Sequence, residues 1–145
     1  MSDKDYSHAW RQAVLQYRQI DKNPDDWMGT DSSSQEARAQ AVSEISRQLR
    51  EIANSMKDLK PPADCQELQE QTYLFYRGLS DRYNGYSEAL GTGDQDKISS
   101  AANGINDFVS DYQYTISRTI KKLNDKGNLF RSSWDDLSKP LASKT

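Results

Sequence analysis

The chain has 145 residues, 22 acidic and 19 basic side chains, a formal charge of -3 and a mean hydropathy of -0.97. That length suits one domain, and a 34% hydrophobic content builds a core only if the apolar residues are regularly ordered along the chain. The acidic balance argues against nucleic acid, whose phosphates call for a concentrated basic surface, and no apolar run approaches the roughly 20 residues that cross a bilayer.

The N-terminus, MSDKDYSH, carries no hydrophobic signal segment. As written the chain reads as cytoplasmic; export is the expectation if a signal has been removed. A first helix is expected over about residues 5–21, where Trp10, Ala13, Val14, Tyr17 and Ile20 share one helical face. The following DKNPDDWMGTDSSS has the Pro, Gly, Ser and Asp density of a loop. Its Asp21, Asn23 and Asp25 match the first, third and fifth positions of a calcium loop, but Asp26 stands where that loop needs Gly and Ser32 where it needs Glu.

Ser33 and Glu36 form a capping-box pattern that opens a second helix, about 34–59. Behind it Val42, Ile45, Leu49, Ile52, Met56 and Leu59 alternate steps of three and four, and KPP at 60–62 stops the run. Asp64 is expected to cap a third helix, about 64–90, which ends at the GTGD turn. Asp94 then starts a fourth, about 94–126, with Ile98, Ala101, Ala102, Ile105, Phe108, Val109, Tyr112, Ile116, Ile120 and Leu123 in one stripe. No strand-like alternation occurs, so the fold class is all-α: an up-and-down four-helix bundle with short loops over residues 1–127. Residues 128–145 form a C-terminal tail in which Phe130, Trp134 and Leu137 are spaced to dock as a short amphipathic helix.

Residues 73–86, YLFYRGLSDRYNGY, concentrate aromatic side chains in the third helix. At 100° per residue, Leu68, Thr72, Phe75, Tyr76, Leu79, Tyr83, Tyr86 and Leu90 fall on one side and read as core. Leu74, Gly78 and Gly85 project on the other side beside Tyr73, and two helix-interior glycines cost about 1 kcal/mol each relative to alanine. They define a second packing face, to be filled by the tail or by another subunit. With Tyr114, which lies off the fourth helix's stripe, and with Phe130 and Trp134 of the tail, they are the candidate partner-binding residues.

Catalytic chemistry finds little support. His8 and Cys65 are the only residues of their types, which excludes an internal disulfide and multi-histidine or multi-cysteine metal sites. Cys65 sits at a helix start, where a thiolate is favoured, but no orienting group or oxyanion loop accompanies it. No catalytic residue, metal or cofactor is therefore assigned.

The stretch LKPPADCQELQEQTYLFYRGLSDRYNGYSEALGTGDQDKISSAANGINDF, within residues 45–123, resembles the helical hairpin of uncharacterised bacterial exported or lipoprotein-type bundle proteins. In them a long helix ends at Leu-x-x-Pro, the next carries Tyr and Leu up to Ala-Leu, and a Gly-Asp turn starts the last. The resemblance implies an exported bundle and supplies no activity. The expected function is a non-enzymatic protein-protein interaction module, whose partner is another protein or a second copy. The alternative is a small ligand or cofactor held inside the bundle among Trp10, Tyr76, Tyr83, Tyr86 and Tyr112.

Overall fold

The computed structural model describes residues 1–20 and 35–135, and these form an all-α bundle of five helices. Helix α1 spans Asp3–Gln19, α2 Gln35–Lys57, α3 Gln66–Thr92, α4 Gln95–Lys122 and α5 Asn128–Asp135. Short 3-10 turns at Ala63–Cys65 and Asn124–Gly127 lead into α3 and α5.

Helix ends follow local chemistry. Ser2 accepts a hydrogen bond from the Asp5 amide, so α1 starts two residues earlier than expected. Asp94 accepts from the Asp96 and Lys97 amides and opens α4 as expected. Gly93, between α3 and α4, takes the left-handed conformation (φ 72°) that a helix-ending glycine supplies. The Asp64 cap is not formed. Asp64 lies in the 3-10 turn with its carboxylate on the Lys126 ammonium, and α3 begins behind Cys65 without a side-chain cap. Ser33 of the anticipated capping box lies outside the described residues.

Side-chain pairing fixes the run of the helices. Tyr6 meets Gln69, Trp10 meets Thr72 and Tyr17 meets Tyr76, so α1 runs parallel to α3. Ser46 and Ser80 each donate to the other's backbone carbonyl at 2.7 Å, which holds α2 antiparallel to α3 at close range. Phe108 beside Phe75 and Thr119 donating to Gln71 at 2.6 Å set α4 antiparallel to α3. The up-and-down order therefore stands, with α3 flanked by α2 and α4.

On the fourth side of the bundle the tail docks as the short helix expected of it. Helix α1 packs on α2 and α5, and α5 packs on α1 and α4, so the tail closes the ring between the first and fourth helices. Phe130 is 0% exposed and Trp134 2%. Phe130 sits edge-on to Trp10 at 5.1 Å and near Tyr6 at 6.0 Å, while Trp134 packs on Trp10 and Phe75 and its indole donates to the Ser117 hydroxyl at 3.0 Å. Residues 128–135 are thus part of the core and not an appended tail. The reason is geometric: α1 and α4 leave a gap that only bulky side chains close, and burying two aromatics of 150–250 Å² each rewards an eight-residue helix that would not form alone.

Candidate interaction groove

The aromatic stretch resolves into interior packing. Phe75 is the hub, with ring contacts to Tyr17, Tyr76, Phe108, Tyr112 and Trp134 between 5.3 and 6.2 Å. Of the ligand-pocket candidates, Trp10, Tyr76, Tyr83 and Tyr86 are buried and Tyr112 is half-buried against Phe108 at 4.7 Å. The Trp10 indole donates to Thr72 at 2.9 Å, which in turn donates to the Leu68 carbonyl. Burial pushes the phenols of Tyr6, Tyr17, Tyr76 and Tyr83 well above the ordinary tyrosine range. The Tyr76 hydroxyl is buried without a hydrogen-bond partner among the described residues.

The partner-binding candidates divide. Phe130 and Trp134 are core, as described. Gly78 is covered from within: a Cβ there would lie 2.5 Å from the tip of the Phe108 ring, so α4 fills this part of the expected second face. Neither the tail nor another subunit is needed there. Tyr73 is half-buried against the core, whereas Leu74 is 42% exposed and Tyr114 65% exposed with the Arg118 guanidinium 5.5 Å from its ring. Gly85 differs from Gly78 in that a Cβ there would meet nothing within 4 Å.

That open space is a groove of about 890 Å³ between the C-terminal half of α3 and the N-terminal half of α4. From α3 it is lined by Arg82, Gly85, Glu88, Ala89 and Thr92; from α4 by Asp96, Lys97, Ser100, Ala101, Gly104, Asp107, Phe108 and Asp111. Gly104 is a second glycine of the lining whose Cβ would find open space, as would that of Gly91 outside it. Phe108 closes one end, with the Arg82 guanidinium 4.2 Å above its ring. Among the described residues, none of Glu88, Asp96, Asp107 and Asp111 forms a salt bridge; Glu88 only accepts from Asn84 at 3.4 Å. Asp107 and Asp111 are moreover a like-charge pair one turn apart on one face of α4, an arrangement that disfavours the isolated helix by a few tenths of a kcal/mol.

Sequence reasoning found Gly85 but missed Gly104, Ala101, Asp107 and Asp111. A signal was present, since SSAANG at 99–104 places small residues together inside a helix whose other turns carry Ile, Phe or Val. The two glycine environments give opposite mutational outcomes. Gly85→Ala is expected to stabilise by about 0.5–1 kcal/mol, the helix-propensity difference. Gly78→Ala loses that gain because the Phe108 ring must leave its stack on Phe75, so its denaturation midpoint stays level or falls. Urea titration of both variants checks the pair.

Elsewhere the titratable groups act structurally. The buried Cys65 thiol is pushed up to about 11, by burial first and the neighbouring Asp64 carboxylate second, which opposes the thiolate expected at a helix start. Lys126 donates to Asp3 at 2.9 Å and to Asp64, tying the start of α1, the turn before α3 and the turn before α5 together. Those carboxylates, Asp64 foremost, hold its ammonium above the ordinary lysine range. No cluster of three or more metal-ligating side chains occurs among the described residues, and the calcium-like loop at 21–32 lies outside them. No helix among the described residues is long and apolar enough to cross a membrane.

What these features define is a class by architecture, an all-α bundle with an open groove on one hairpin. No protein-family model, curated protein or solved structure matches the chain.

Proposed function

We propose that the protein is a non-enzymatic interaction module whose contact surface is the outer groove between α3 and α4. One observation carries this reading: Gly85 and Gly104 both lie in the groove lining and, like Gly91 beyond it, meet nothing within 4 Å, so their cost of about 1 kcal/mol each is repaid by no contact among the described residues. Gly78, by contrast, is explained by Phe108. A surface kept low by two unexplained glycines, between helices that otherwise pack tightly, admits a partner's backbone at short range. Exposed Leu74 and Tyr114 on the same two helices extend the apolar contact beyond the groove.

The rival reading, a small molecule among the interior rings, has the orphan Tyr76 hydroxyl in its favour. One buried water satisfies that hydroxyl equally well, and a ligand would have to displace rings already packed on one another.

The test places a photo-crosslinking residue at Gly104 and, as a control, at exposed Gln12 on α1, in cells of the source organism. A discrete adduct specific to position 104, lost when Gly85 is changed to leucine, is the expected result. Equal adducts at both positions, or none at 104, reject the groove as the working surface.

A further inference from the structure

Resting on that reading, we infer that the groove receives a basic amphipathic helix of another protein. Shape and charge both lead there. On α4 the lining runs from Asp96 to Asp111, about 22 Å at 1.5 Å per residue, which matches roughly four turns of a docked helix. Gly85, Gly104, Ala89 and Ala101 keep the lining low, so an occupant's backbone can come within the short end of helix-packing distances.

The rim supplies the choice of partner. Four carboxylates face two cations, and none of the four is neutralised within the described residues. One of the cations, Arg82, is already engaged over Phe108. A second copy of the chain would bring an equally acidic rim onto this one, on a protein whose formal charge is already -3, so self-association through this face is opposed by like charge. A helix with an alanine- or leucine-rich face toward the groove and lysines or arginines along both flanks meets the apolar lining and the unpaired carboxylates at once. The resulting attraction is steering in character, and falls with salt.

The experiment uses the full chain and three synthetic helices of about 14 residues with the same Ala/Leu face, their other positions being Lys, Gln or Glu. Binding is read by fluorescence anisotropy at low and moderate salt. The Lys helix should bind about tenfold more tightly than the Gln helix at low salt, and the gap should narrow as salt is raised. Asp107→Asn with Asp111→Asn should remove about threefold or more of that gap. Gly85→Leu with Gly104→Leu, whose side chains enter open space and should not lower the melting temperature, should weaken every helix at least about tenfold.

The failures are separable. If filling the groove abolishes binding but the Glu helix binds as well as the Lys helix, the basic partner is wrong and the groove stands. If filling has no effect, or none of the three helices binds by about 1 mM, both fall. A dimer in light scattering that the two leucines dissolve assigns the groove to a second copy and overturns the proposal.

Discussion

Replacing Phe130 with alanine is expected to lower the unfolding free energy by about 3–5 kcal/mol, the range for removing a fully buried aromatic ring. The side chain is 0% exposed, and its ring lies between Tyr6 and Trp10 at the junction of α5 and α1. Because among the described residues α1 reaches α4 only through α5, the loss is felt by three elements. Amide exchange over residues 6–10 should accelerate along with that of α5, while the Ser46–Ser80 contact between α2 and α3 keeps its protection. Trp134→Phe is the milder companion. It retains most of the packing on Trp10 and Phe75 but removes the indole donor to Ser117, a change of about 1 kcal/mol. Urea unfolding measures both. A tail that merely rested on a finished four-helix bundle would give less than about 1 kcal/mol for Phe130→Ala and no change in α1 exchange, and that result would refute the five-helix core.

The helices were legible because apolar spacing of three and four survives translation into burial: Val42, Ile45, Leu49, Ile52 and Met56 are all interior, as are Phe75, Tyr76, Leu79 and Tyr83. Asp94 and Gly93 were legible because each performs its local task with atoms within three residues. What failed was everything that depends on which residue lies opposite. Gly78 and Gly85 are seven positions apart, so projection puts them on one face and predicts one fate. The register of α4 gives one of them Phe108 and the other open space, and that register is set by long-range contacts between α3 and α4 that no local pattern encodes. For Phe130 and Trp134 the docking helix was legible, but not whether their rings serve the core or a partner. Their i, i+4 spacing marks an apolar face, but the same face suits an external partner and an internal gap, and only the absence of α4 beside α1 decides between them.

Raising the pH should unfold the protein in one steep transition between about pH 10 and 11.5. An unfolded tyrosine loses its proton near pH 10, whereas burial holds Tyr6, Tyr17, Tyr76 and Tyr83 protonated well above it in the fold. Above pH 10 the native state therefore binds more protons than the unfolded one, so stability is full below that value and falls as pH rises. Each such phenol removes about 1.4 kcal/mol per pH unit, and four together about 5–6 kcal/mol, comparable to the whole stability of a domain this size. The Cys65 thiol, raised from 9.0 to about 11, has the same sign and begins to act near pH 9. The tyrosinate absorbance of these four phenols should then appear together with the loss of helical circular dichroism, because their hydroxyls ionise only as the bundle opens. Tyr76→Phe should make the fall shallower by about 1.4 kcal/mol per unit and, since its hydroxyl has no partner to lose, should leave neutral-pH stability unchanged or higher. If the four phenols ionise while the helices persist, their rings are reached by solvent in the folded state and the tightly packed aromatic interior is wrong.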